Sequence, residues 1–192
     1  MNQDDIYFKK IDLPNFQEIR SKSLEFVKND DKIFQRKLSS YYIVDFKKFT
    51  SYCPLLVPSF NKLDLEPYLI SIFVMYDDSH GPIHIDLLPP YAKVLMPLLN
   101  TEGSKTTFYG NCRVVKTTNP KSGIKSYRPF VSKDIQARST FELDGPTVIR
   151  SSVPHDVKMN KNNVPRISMQ VETNPDCVTF LNPLIENDVI FI

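Results

Sequence analysis

The 192-residue chain has only three histidines, His80, His84 and His155, and one of them stands in the run Ile83-His84-Ile85-Asp86. On an extended strand, residues i and i+2 point to the same face. His84 and Asp86 can therefore converge on one ion while Ile83 and Ile85 turn toward a core. His155, 71 residues later (155 − 84 = 71), can supply a third ligand from a neighbouring strand. Two imidazoles and one carboxylate form a facial ligand set for non-haem iron(II), with coordination positions left open. A structural zinc site takes four protein ligands, and no cysteine pair lies near enough in sequence to complete one. His80 and His84 are spaced i and i+4, which would need a helix. Gly81-Pro82 between them argues against one, so His80 is read as a loop residue.

Eleven residues after His155 comes Arg166-Ile167-Ser168 (166 − 155 = 11). Strand alternation places Arg166 and Ser168 on one face. A guanidinium fork beside a hydroxyl suits the capture of a carboxylate. A solvated arginine on an edge strand is the plain alternative.

Such residues need rigid strands to hold them. The 15 prolines and 5 glycines punctuate the chain too often for long helices. Pro14 to Lys28 has the spacing of an amphipathic helix, after an opening strand within Ile6 to Leu13. A second short helix is expected from Asp45 to Tyr52. From Tyr68 onward the texture is β-branched and aromatic. Strands are expected over Tyr68 to Tyr76, Ile83 to Asp86, Ala92 to Leu99, Thr106 to Tyr109, Thr140 to Leu143, Thr147 to Arg150, His155 to Met159 and Arg166 to Thr173. Helices followed by runs of strands, without β-α-β alternation, imply an α+β chain that is mainly β, an antiparallel sandwich or barrel.

Composition narrows the setting. The charged share is 24% and the hydrophobic share 41%, ordinary for a globular domain. The longest largely apolar run, Leu69 to Tyr76 with Ser71 inside it, is too short for a membrane span. The polar, acidic start Met1-Asn2-Gln3-Asp4-Asp5 predicts no secretory leader. Cys53, Cys112 and Cys177 are odd in number and widely spread, as isolated thiols of a reducing cytoplasm would be. The net charge of +2 hides an asymmetry. Residues 111–138 hold seven basic side chains and one acid, 7 − 1 = +6. That segment is read as a long solvated link between strands, of the kind that serves as a lid or binding loop. Its charge favours an anionic partner such as a nucleotide, nucleic acid, acidic protein or carboxylated metabolite.

Two runs carry a family resemblance: IHIDLLPPYAKVLMPLLNTEGSKTTFYG from Ile83 and GPTVIRSSVPHDVKMNKNNVPRISMQVE from Gly145. Together they resemble the 2-oxoglutarate/Fe(II)-dependent oxygenase superfamily, in particular its small prolyl-hydroxylase-like members from bacteria and phages. Order and spacing both match: H-x-D, a distal histidine, then R-x-S. The resemblance covers about Tyr68 to Glu172. It implies a double-stranded β-helix, a jelly-roll or cupin-like barrel, with the N-terminal helical segment packed outside. One domain is then expected over 1–192, with a helical support region over 1–66, a barrel core over 67–175 and a C-terminal extension over 176–192. His84, Asp86 and His155 would hold Fe(II). Arg166, Ser168 and Asn100 would bind the small-molecule cosubstrate 2-oxoglutarate, and O2 would be the oxidant. Tyr76, Thr106 and Tyr109 are candidates for lining the pocket. The implied activity is a cytoplasmic, membrane-free dioxygenase that hydroxylates or demethylates a substrate with release of succinate and CO2. The competing readings are a cupin-like metal-binding protein with other chemistry and a non-catalytic nucleic-acid-binding module using residues 111–138. In the first, Arg166 and Ser168 would lack a task.

Overall fold

A computed structural model describes residues 3–30, 39–76, 83–86, 91–110, 112–118, 125–130, 135–160, 162, 164–183 and 189–191. His80, the Pro89-Pro90 pair and part of the basic segment lie outside the described residues. A six-stranded sheet forms the centre, with the order β1 (Phe8–Lys10), β9 (Thr147–Arg150), β4 (Ala92–Leu99), β11 (Arg166–Asn174), β3 (Glu66–Met75), β2 (Ser40–Ile43). Every neighbouring pair in it is antiparallel. A second antiparallel sheet has the order β10 (His155–Lys158), β5 (Lys105–Gly110), β8 (Gln136–Glu142). The fold is thus mainly β with few helices, compatible with a sandwich or jelly roll. The N-terminal third contributes strands as well as helices, because β1 and β2 form the two edges of the large sheet.

Strand alternation gives the large sheet two different faces. Its outer face carries Ile70, Ile72, Val74, Val94, Met96, Leu98, Ile167, Met169 and Val171, all buried. Helices α1 (Phe16–Lys28), α2 (Phe46–Tyr52) and α3 (Leu56–Asn61) cover it through Ile19, Phe26, Val27, Phe49, Leu56 and Phe60. The spacing of the apolar residues in α1 is what gives it one buried stripe. Asp45 caps α2, its carboxylate accepting from the Lys48 N–H at 3.0 Å. The sequence reading omits α3 because Pro54 and Pro58 look like breakers. Pro58 sits in the first turn, where no intrahelical partner exists for its missing N–H.

The inner face is divided. Toward β1 it is apolar: Phe8, Leu95 and Ile149 meet Phe108 and Phe141 of the small sheet. Phe8 and Phe141 stack at 4.5 Å, and Tyr7 and Phe108 at 5.6 Å. Toward β2 the same face becomes polar, carrying Lys93, Ser71, Arg166, Ser168 and Glu172, all buried.

The reading of residues 111–138 as a solvated link is corrected. β6 (Cys112–Thr118) pairs antiparallel with β7 (Lys125–Phe130), and β12 (Val189–Phe191) adds to β6 in parallel. Val114, Val115, Thr117 and Thr118 supply the β-branched residues that favour this strand. Basic residues among them signalled a loop, and charge does not prevent strands from pairing. Among the described residues, no helix is long and apolar enough to cross a membrane.

Candidate metal centre

Among the described residues the H-x-D run belongs to no named strand and is positioned by an isolated bridge between His84 and His155. His84 N–H donates to the His155 carbonyl and His155 N–H donates to the His84 carbonyl, each at 2.9 Å. This reciprocal pair sets the two imidazoles side by side, with ring centroids 4.5 Å apart. Just beyond the bridge, the Asp86 N–H donates to Ser151 O at 3.2 Å, while Ile85 is fully buried behind it. Asp86 Oδ1 then lies 3.7 Å from His84 Nε2. One ligand atom from each of His84, Asp86 and His155 lies within 4.8 Å of the others, the sole such cluster among the described residues.

The protonation chemistry fits a cation. His155 Nδ1 lies 2.8 Å from Val153 O, and a carbonyl only accepts. The ring proton therefore sits on Nδ1, leaving the Nε2 lone pair for a metal. Burial and then the neighbouring His84 hold the His155 imidazole down at about 4, so it is neutral at pH 7. Burial alone would raise the Asp86 carboxyl. The Lys93 ammonium, followed by His155 and His84, outweighs it and brings the pKa down to about 2. Two imidazole nitrogens and one carboxylate are a donor set suited to iron(II).

Arg166 and Ser168 do share the inner face. Arg166 is 1% exposed, and its Nη1 lies 3.3 Å from Ser168 Oγ and 3.9 Å from Met75 Sδ. Its Nε is the one buried side-chain nitrogen or oxygen without a hydrogen-bond partner among the described residues. Burial lowers its pKa to about 10, which leaves it charged. A buried guanidinium without a counter-ion is costly. The other buried arginine, Arg150, spends its donors on the carbonyls of Ile6 and Asn182.

The remaining expected residues have other places. Asn100 ends β4 at a φ of 51°, and its amide donates to Pro165 O at 3.0 Å, next to Arg166. Thr106 is buried on the face of β5 that also carries Phe108. The Tyr109 hydroxyl donates to Asp156 Oδ2 at 3.0 Å. Tyr76 packs against the helix-covered core, on the far side of the large sheet from Arg166.

Sequence reasoning missed Lys93, Glu172 and Tyr68. Lys93 Nζ lies 3.3 Å from Asp86 Oδ2 and 3.5 Å from Glu172 Oε1, and the Tyr68 hydroxyl donates to Glu172 Oε2 at 3.1 Å. The available signal was Lys93 as the single charge in the apolar strand AKVLMPLL.

No family model matches the chain, and no curated protein matches it. Solved structures do. E. coli ycfD is 14% identical, at a TM-score of 0.41 over 65% of this chain and 30% of its own. HygX from Streptomyces hygroscopicus, solved with iron bound, is 11% identical, at a TM-score of 0.49 over 88% of this chain and 82% of its own. A Pseudomonas putida prolyl-4-hydroxylase is 12% identical, at a TM-score of 0.44 over 88% of this chain and 95% of its own. The chain thus spans under a third of the ycfD protein. An iron-bound protein and a prolyl hydroxylase stand among these solved structures. Each of these three TM-scores lies below 0.5, so the likeness carries no chemistry over to this chain.

Proposed function

We propose that this chain is an Fe(II)- and 2-oxoglutarate-dependent dioxygenase whose two facing sheets form a double-stranded β-helix. The observation that carries this reading is the buried Arg166, beside Ser168 and without a counter-ion among the described residues. It lies on the same inner face as the lysine that touches Asp86 of the His84–Asp86–His155 cluster. A metal cluster alone fits many activities. A metal cluster served by a buried cation awaiting an anion fits a carboxylate-bearing cosubstrate.

The three ligands would hold the ion, and Arg166 with Ser168 would receive the distal carboxylate of 2-oxoglutarate. When bound, iron and cosubstrate supply the oxidation of a substrate C–H bond with loss of CO2 and formation of succinate. The chain's own part is to orient and to exclude water. The Nδ1–H bond to Val153 O fixes the His155 ring, and Phe108, 5.9 Å away, backs that ring with apolar surface. The primary substrate class favoured by the +6 segment is anionic.

Anaerobic addition of Fe(II) and 2-oxoglutarate tests the reading. A weak visible charge-transfer band is expected, together with succinate formation once O2 is admitted. His155→Ala should abolish both, whereas Arg166→Ala should weaken 2-oxoglutarate binding and leave metal binding intact. A folded wild-type protein that takes up iron and shows no band on adding 2-oxoglutarate would sink it.

A further inference from the structure

We propose that Lys93 is a positioning residue that holds Asp86 as a one-oxygen metal ligand and so keeps a coordination position open. This inference rests on the metal-centre reading and deepens it. The two carboxylate oxygens of Asp86 face different partners. Oδ1 is on the side of His84 Nε2, at 3.7 Å, and Oδ2 is on the side of Lys93 Nζ, at 3.3 Å. An ion seated among the three ligands therefore meets Oδ1, while Oδ2 is engaged by the ammonium.

The lysine is itself fixed from behind. Glu172 Oε1 lies 3.5 Å from Nζ, and the Tyr68 hydroxyl holds the other Glu172 oxygen. Three strands contribute to this chain of contacts: Lys93 from β4, Glu172 from β11 and Tyr68 from β3. The packing of β4 does not require a charge here. Its inner-face neighbour Leu95 and the cross-strand partner Ile149 are apolar, and an aliphatic residue would fill the same place. Burying an ammonium is costly before its partners act. Two carboxylates offset that cost, and the arrangement gives Asp86 a fixed orientation. Without the ammonium, Asp86 Oδ2 would be free to turn onto the ion. The carboxylate would then chelate with both oxygens and displace one water.

Mn(II) alone is the probe, read by water-proton relaxation and by titration on the full chain. A six-coordinate ion on three protein ligands has three open positions. The wild type should show three exchangeable inner-sphere waters. Lys93→Met should bind Mn(II) at least as tightly, since a positive charge leaves the site, and should lose about one third of the bound-ion relaxivity. Lys93→Arg should restore it. The double variant Lys93→Met with Glu172→Gln keeps the net charge and guards against misfolding from an unpaired Glu172; it should behave as Lys93→Met. A folded variant that retains three waters, or that loses Mn(II) binding, overturns the positioning role while the metal centre stands. A wild type that takes up no Mn(II) overturns the metal centre as well.

Discussion

At the scale of single residues, Arg166 sets function against stability. Among the described residues its guanidinium is buried with no carboxylate partner and an unsatisfied Nε. Replacing an uncompensated buried charge by an apolar residue of similar shape removes a desolvation cost. Arg166→Met is expected to match or exceed the wild type by about 1 kcal/mol in metal-free denaturant unfolding. The same variant should show no thermal stabilisation by 2-oxoglutarate, where the wild type does. A large destabilisation by Arg166→Met would show that the arginine serves the fold. His155 carries a pH signature. Its folded pKa, about 4, lies below the ordinary 6.5. Between these values the unfolded chain binds a proton that the folded chain refuses. Stability of the metal-free protein should therefore fall as pH drops from 6.5 toward 4, by up to about 3 kcal/mol. His155→Gln should flatten that part of the curve in urea unfolding followed against pH. The shared faces of His84 with Asp86 and of Arg166 with Ser168 were legible because they depend on residue type and short spacing. Lys93 was not, because its partners Asp86 and Glu172 are brought to it by three-dimensional pairing.

At the scale of elements, β4 and β9 were readable to the residue, since runs such as AKVLMPLL and TVIR admit little besides a buried strand. The hairpin of β6 and β7 was hidden by its charges, and α3 by its prolines. The H-x-D run was expected as a strand and is an isolated bridge, held by the reciprocal pair of His84 and His155. Periodicity shows which residues share a face and is silent on how many neighbours pair with them. The contact between the sheets concentrates on Phe108, which is fully buried among Tyr7, Phe8 and Phe141 and backs His155. Phe108→Ala should cost about 3–5 kcal/mol in equilibrium unfolding, the range for removing a buried aromatic. It should also weaken metal binding, because the ring behind His155 is lost. A cost near zero would mean that the sheets are held together elsewhere.

At the scale of the whole molecule, the six-stranded sheet separates two tasks. Its outer face buries apolar side chains under the helices, and its inner face passes from aromatic packing to a polar strip. Sequence patterning shows the first task as hydrophobic alternation, and the second as polar residues in inward positions such as Arg166 and Ser168. The bridge between His84 and His155 has a further effect on the chain as a polymer. An ion gripping both would tie together two points 71 residues apart, much as a cross-link closes a loop. For a covalent link of that span, restricting the unfolded chain is worth about 4 kcal/mol, an upper bound for a reversible tie. Metal uptake should then slow hydrogen exchange across the intervening strands, β4 to β9, none of which supplies a ligand. Mass-resolved exchange with and without Mn(II) reads this directly. Protection confined to the peptides that contain the ligands would mean that the ion is a local guest and not a stitch in the fold.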